Sequence, residues 1–373
     1  MKKVLVTGGC GFIGSYVVED MLRKGLTPII LDNLSPQVHG EQPIIPKEVL
    51  KECRFLHDDI ENISRFKHEL AEVEAVVHLA AETGVGQSMY EAERYTRVNV
   101  TGTACLLDLM GQAMKKVERF ILVSSRAVYG EGSYSCDKCG PTRAKERLVE
   151  DLRRGMWEVK CRRCCGPITP VPTREDSPTE PISVYGVTKA AQEQLVHVVC
   201  KPLGIDYGIF RCQNVYGPRQ SLSNPYTGLL SVFTTRIRNE QPLEIFEDGK
   251  MSRDFIFVQD VSGAIMIALE AGKLGGETFN LGSGVRTTIL EAAVALRAAF
   301  GSEVPIQIVG RYRVGDIRHC FADYNKARSI LGFQPNVVLS AGLTKLAKWA
   351  VGQPMALDRA EGAIKECAAR GFA

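Results

Sequence analysis

The sequence predicts an α/β fold built on a doubly wound parallel sheet, and two observations carry that prediction. Short β-branched runs alternate with longer helical patterns through the first two hundred residues, which is how βαβ units read. A glycine-bearing turn also follows the first predicted strand directly and opens the first predicted helix. Strands are expected at 4–7, 28–31, 54–57, 75–79, 120–124 and 207–210. Helices are expected between them at 12–24, 63–71, 91–115 and 183–201. Residues 131–172 break the rhythm with cysteines, basic residues and the prolines Pro167, Pro170 and Pro172. From about residue 213 the pattern becomes irregular, with Gly and Pro turns, and reads as a smaller lobe closing over the strand ends. Helical packing is expected again at 322–331 and 339–351, and the tail from 353 to 373 carries little signal.

A chain of 373 residues with 45% hydrophobic content can bury a full core. A net charge of +3 gives no reason to expect nucleic acid or an anionic membrane surface. No apolar run approaches a transmembrane length. The start, Met-Lys-Lys-Val-Leu-Val-Thr-Gly-Gly, has the lysines of a signal peptide, but its glycines interrupt the apolar stretch. It reads as a buried first strand, and a cytoplasmic protein is expected.

Thr7-Gly-Gly-Cys-Gly-Phe-Ile-Gly14 places Gly8, Gly11 and Gly14 where a strand turns into a helix, with Phe12 and Ile13 opening the helix. A tight turn, close backbone approach to a pyrophosphate and helix–strand packing all exclude side chains there. The helix N-terminus then offers unpaired N–H groups to the anion. Asp32 and Asn33 follow at the end of the second strand. A carboxylate there accepts from both ribose hydroxyls and repels a 2′-phosphate, so NAD is expected over NADP. Asp59, before Ile60, either meets the adenine amino group or caps the helix expected near Ile63. Leu79, Ala80 and Ala81 are small enough to let a cofactor lie against backbone. His78 reads as a packed strand residue, and Asn99 as a secondary candidate inside a long helix.

Tyr185-Gly-Val-Thr-Lys189 sets a phenol and an ammonium one helical turn apart on one face. A free phenol titrates near 10, and nearby positive charge lowers that value toward the working range. Ser125 closes the strand beside Ser124 and begins Ser125-Arg-Ala-Val-Tyr-Gly130. It can share a hydrogen bond with the same substrate hydroxyl. With these pieces the chain resembles an extended short-chain dehydrogenase/reductase of the NAD-dependent sugar-nucleotide epimerase/dehydratase family, over residues 1 to about 350 apart from the insertion. Further family signatures follow at Asn214-Val-Tyr-Gly-Pro-Arg219, Arg253-Asp-Phe-Ile-Phe-Val258, Asn280-Leu-Gly-Ser-Gly284 and Gly315-Asp-Ile-Arg-His319.

The resemblance implies a Rossmann-type cofactor domain over 1–212, interrupted by 131–172, and a mainly substrate-binding lobe over 213–352. It implies Ser125, Tyr185 and Lys189 as catalytic residues, with Ser124, Tyr185 and Lys189 also facing the cofactor. It implies Asn214, Arg253 and Arg318, with Ser125, as the substrate set; guanidinium groups grip phosphate oxygens in a bidentate fork. It implies a homodimer built on the helices at 91–115 and 183–201. Members that eliminate water carry an Asp-Glu pair after the catalytic Ser or Thr, whereas here those positions are Arg126 and Ala127. What remains is the apparatus for reversible oxidation at a sugar C4. The expected activity is therefore 4-epimerisation of a nucleotide sugar. Within the family the insertion and the stretch from His78 to Tyr90 resemble the branch acting on dTDP-L-rhamnose, with UDP-hexose epimerases as the alternative.

Five of the twelve cysteines fall between Cys136 and Cys165. Cys136-x2-Cys139, twenty-one residues, then Cys161-x2-Cys164 matches a structural zinc ribbon, with Cys165 an alternative fourth ligand. Arg143, Arg147, Arg153, Arg154, Arg162 and Arg163 are expected to offset the thiolate charge.

Overall fold

A computed structural model describes residues 2–40, 51–226 and 228–371. Seven strands form one parallel sheet: β1 (Lys3–Thr7), β2 (Thr27–Asp32), β3 (Arg54–His57), β4 (Ala75–His78), β5 (Arg119–Ser125), β6 (Asp206–Cys212) and β7 (Glu277–Leu281). Their spatial order is β3-β2-β1-β4-β5-β6-β7. The order reverses between β1 and β4, and the crevice beyond the strand ends at such a switch point is where ligands settle in this architecture.

Both faces of the sheet are covered, which explains why its strands are continuous apolar runs rather than alternating ones. On one face, helix α1 (Phe12–Arg23) and the helix Val258–Glu270 bury Val17, Val18, Met21, Ala264 and Ile265 against Val4, Val6, Val77 and Val123. On the other, the helices Gly102–Gln112 and Val184–Cys200 bury Leu106, Met110, Val196 and Cys200 against Leu5, Val76, Phe120 and Ile209. β7 and Val258–Glu270 come from beyond residue 212, so the two lobes interleave in sequence. A separate core (Phe233, Leu243, Phe255, Leu296, Leu343) sits in the lobe closing over the strand ends.

Two helix expectations change. The expected helix at 63–71 is a 3-10 stretch at Ile60–Phe66. The expected helix at 91–115 is α-helical only at Ala92–Tyr95 and Gly102–Gln112, with a π-helical stretch, Thr96–Thr101, between them. Residues 353–373 hold a helix, Ala360–Ala369, that the sequence reading left blank.

The insertion folds as a three-stranded antiparallel sheet, Gly140–Thr142 beside Ser133–Cys136 beside Thr169–Val171. Its apolar centre is only Tyr134, Ala144 and Val159, with Ile168 packed against them. So small a core cannot stabilise a fold unaided.

Helix Val184–Cys200 is anchored by charge as well as packing. Glu193 and Arg211 form a buried pair at 2.7 Å, and the Ser124 hydroxyl donates to the same carboxylate at 2.5 Å. Removing one partner strands the other charge inside the protein. Arg211→Met should therefore cost about 3–5 kcal/mol, read from urea unfolding; a loss below about 1 kcal/mol would show the pair to be dispensable.

Candidate active site

One cavity of about 580 Å³ runs along the strand ends, from the glycine turn to the second lobe. That size suits a small-molecule site. Its floor is the turn after β1. Gly8 has φ +70, and a Cβ on Gly14 would overlap the Gly8 carbonyl oxygen. Gly8, Gly11, Phe12, Ile13, Gly14, Asp32, Asn33, Asp59, Ile60, Leu79, Ala80 and Ala81 all face the cavity, as the sequence led one to expect. The Asp32 oxygens accept from the backbone N–H groups of Cys10 and Leu34, both at 2.9 Å, which fixes the carboxylate toward the cavity. Asn33 donates to Asp59 at 2.8 Å. Asp59 stands at the N-cap of the 3-10 stretch but makes no side-chain cap bond, so its carboxylate faces the cleft. An NAD-sized dinucleotide fits this set: a glycine cradle for pyrophosphate and a fixed carboxylate for ribose.

The reacting groups meet at the middle of the cavity. Ser125 ends β5, and Tyr185 lies in the first turn of Val184–Cys200, capped by the Ser183 hydroxyl. Both side chains line the cavity, and the Ser125 oxygen accepts from the Ala127 N–H at 3.1 Å. Helix and strand end approach this closely because residue 186 is glycine; a Cβ there would sit 2.6 Å from the Ala127 carbonyl oxygen. Lys189 lies behind the wall, its Nζ donating to the Val123 carbonyl at 2.8 Å. Burial lowers its pKa from 10.5 to about 8. Burial raises the Tyr185 phenol while the neighbouring Ser125 hydroxyl pulls it down. Burial prevails, and the cation that lowers the phenol is Arg126 rather than the expected Lys189. His78 is the packed strand residue expected: fully buried, bonded to Thr7 at 2.7 Å and Thr103 at 2.8 Å, with burial lowering its pKa to about 3.

Besides Lys189, three more expected site residues lie off the cavity wall. Ser124 is turned to Glu193, away from the cavity. Asn99, buried in the π-helical stretch, accepts from Glu82 N at 2.7 Å and donates to Thr188 at 2.9 Å. It ties the loop after β4 to the catalytic helix, and is a positioning residue rather than a wall of the cleft. Arg318 is wholly buried and held by three carboxylates, Glu158, Glu247 and Asp248. It does not reach the cavity.

The second-lobe end is lined instead by Asn214, Arg253, Arg126 and Arg313. Arg253 spends four bonds on protein oxygens, among them Asp316 at 2.8 Å, leaving Nε. Arg126 pairs with no carboxylate among the described residues; burial and the Arg253 charge lower its pKa. The Asn214 Oδ1 and Gln220 Oε1 atoms are buried at the wall without hydrogen-bond partners among the described residues. An unpaired guanidinium calls for an anionic ligand, whereas the two amide oxygens call for a donor such as a hydroxyl or an N–H. The C-terminal helix adds Ala360, Ala363, Ile364 and Cys367 to the same end. It is fastened by Glu366, which accepts from Tyr226 at 2.9 Å, and by Arg370 over the Tyr90 ring at 4.7 Å.

The sulfurs of Cys136, Cys139, Cys161 and Cys164 all lie within 4.8 Å of one another. Cys165, with φ +56, turns outward. The nearby arginines serve other partners: Arg143 donates to the Tyr129 carbonyl, Arg147 pairs with Glu247, Arg162 with Glu180, and Arg163 caps the carbonyls of Cys139 and Pro141.

The fold and site define a dinucleotide-dependent enzyme of the short-chain dehydrogenase type, and comparison with known proteins narrows the class. A profile described as GDP-mannose 4,6 dehydratase matches residues 5–138, and one described as the NAD dependent epimerase/dehydratase family matches 160–282. The dTDP-L-rhamnose 4-epimerase of Burkholderia thailandensis is 36% identical over 93% of this chain and 94% of its own. A putative UDP-glucose 4-epimerase of Methanocaldococcus jannaschii is 30% identical over 93% of this chain and 97% of its own. The crystal structure of UDP-glucuronic acid 4-epimerase from Bacillus cereus, in complex with UDP-glucuronic acid and NAD, superposes with a TM-score of 0.76 at 28% identity, covering 94% and 99% of the two chains. This chain belongs to the NAD-dependent epimerase/dehydratase family.

Tyr185→Phe should lower turnover by about 10²–10⁴-fold with the fold intact by circular dichroism. Lys189 keeps its proton below about pH 8 and loses it above, so turnover that uses its charge should decline as pH rises through that value. In Lys189→Met the residual rate should be flat across the same range; a wild-type decline that persists in the variant would assign it to another group.

Proposed function

We propose that the chain is an NAD-dependent sugar-nucleotide 4-epimerase acting on a dTDP-6-deoxyhexose such as dTDP-L-rhamnose. The observation that carries this reading is the pair Arg126 and Ala127, both lining the cleft beside Ser125 and Tyr185 where elimination of water would need two carboxylates. Bound dinucleotide supplies a hydride acceptor and donor in turn. Tyr185 takes the proton of the sugar 4-hydroxyl, Ser125 orients that hydroxyl, and Lys189 holds positive charge behind the phenol. Arg126, Arg253 and Arg313 grip the diphosphate while the ketone face turns over. The Burkholderia relative supports dTDP-L-rhamnose as substrate, while the Methanocaldococcus and Bacillus relatives keep UDP-hexoses as the second reading.

The four clustered thiols support a structural zinc on Cys136, Cys139, Cys161 and Cys164. Zn–S bonds of about 2.3 Å in a tetrahedron separate the sulfurs by about 3.8 Å, compatible with the observed cluster. Four protein ligands leave no open position, so the ion has no part in the chemistry. Among the described residues no cysteine is in a disulfide, which fits a reducing compartment. Among the described residues no helix is long and apolar enough to cross a membrane. Val187 and Val198 stand exposed on the catalytic helix, and a second copy packed there in a homodimer would cover them.

Incubation with dTDP-L-rhamnose, followed by NMR, should give C4 inversion with no net NADH; a 4-keto-6-deoxy product from dTDP-glucose would refute the reading. Elemental analysis should find about one zinc per chain, and a zinc-free folded protein would remove the metal assignment.

A further inference from the structure

We propose that the cysteine-bearing insertion braces the substrate end of the cleft, with Arg147 and Glu158 as its positioning residues; this rests on the reading of that end as a diphosphate site. The loop from Arg311 to Arg318 has no regular structure, yet it carries Arg313 and Asp316 into the cavity wall. Such a loop keeps one shape only if other elements hold it. The insertion holds it through three side chains between the cysteine pairs, besides Glu131 at its start, which accepts from the Arg318 N–H.

Arg147 bridges two separate segments. One nitrogen pairs with the buried Glu247 at 2.6 Å, and the other donates to the Asp316 carbonyl oxygen at 2.6 Å. Glu158 accepts from Arg318 Nε at 3.1 Å and approaches His319 at 3.5 Å, and its pKa is lowered to about 2, by the His319 hydrogen bond first and by Arg318. Trp157 packs on Tyr312 with ring centroids 6.2 Å apart. Asp316, held in this way, accepts from Arg253 at 2.8 Å and so sets which face Arg253 shows to the cleft.

The thiol cluster is rigidly joined to these contacts. Lys145 N donates to the Lys160 carbonyl at 2.7 Å, and Arg162 N to the Arg143 carbonyl at 3.1 Å. Arg147 and Glu158 therefore emerge side by side just beyond this ladder, and Cys161 sits within it. With so few apolar residues inside the module, a metal on the four thiolates is what keeps the ladder in place. Arg318, buried and drawn into the same network, serves the brace rather than the ligand.

The test is calorimetric binding of dTDP and, separately, of NAD to the full chain. Arg147→Gln, Glu158→Gln and chelated wild-type protein should each bind dTDP about tenfold more weakly, with NAD affinity changed by less than about twofold. Arg147→Lys should recover part of the loss. Normal dTDP affinity in a variant carrying both Arg147→Gln and Glu158→Gln would overturn the brace alone, and a parallel fall in NAD affinity would overturn it in favour of general unfolding. Wild-type protein that binds neither dTDP nor UDP would overturn the functional reading and the brace with it.

Discussion

The catalytic arrangement depends on where one helix lies. Val184–Cys200 carries both the phenol and the ammonium, and Glu193 seats it together with the apolar packing of Val196 and Cys200. That carboxylate reaches Arg211 on β6 and Ser124 on β5, so a single buried acid ties the helix to two neighbouring strands. Asn99 adds a second tie through Thr188, and Gly186 lets the helix meet the Ala127 turn without a gap. Tyr185 and Ser125 come from positions sixty residues apart, and they touch because these constraints leave the helix no freedom to slide.

Much of the cofactor half was readable from the chain because its determinants are local. The glycines act within a single turn, Asp32 lies at the end of the next strand, and Tyr185 and Lys189 share one helical face. The substrate half was less readable for a physical reason. Arg318 and Arg313 are five residues apart in one irregular loop, and nothing local says which of them faces ligand. The answer is given by Glu158, Glu247 and Asp248, far away in sequence, which draw Arg318 inward. Ser124 lies off the cavity for the same kind of reason: strand alternation places it opposite Ser125, but only the tertiary structure reveals the acid waiting there.

The insertion presents a different lesson. Its spacing announced a staple but not a purpose, because the residues that give it one are an ordinary arginine and an ordinary glutamate between the cysteine pairs. Of the arginines expected to soften the thiolate charge, Arg143, Arg147 and Arg162 are committed to carbonyls and carboxylates of the main body. The module is thus wired into the enzyme by its polar side chains, while its own interior is almost empty of apolar mass.

The last described helix forms part of the cleft wall, and its fastening to Tyr226 and Tyr90 gives the two ends of the chain unequal freedom. The amino end enters at the start of the central strand β1, at the opposite end of the strands from the cleft, so extra residues there would trail away from the chemistry. Extra residues at the carboxyl end would emerge beside the mouth through which a nucleotide sugar must pass. Purification handles and fusion partners therefore belong at the amino end.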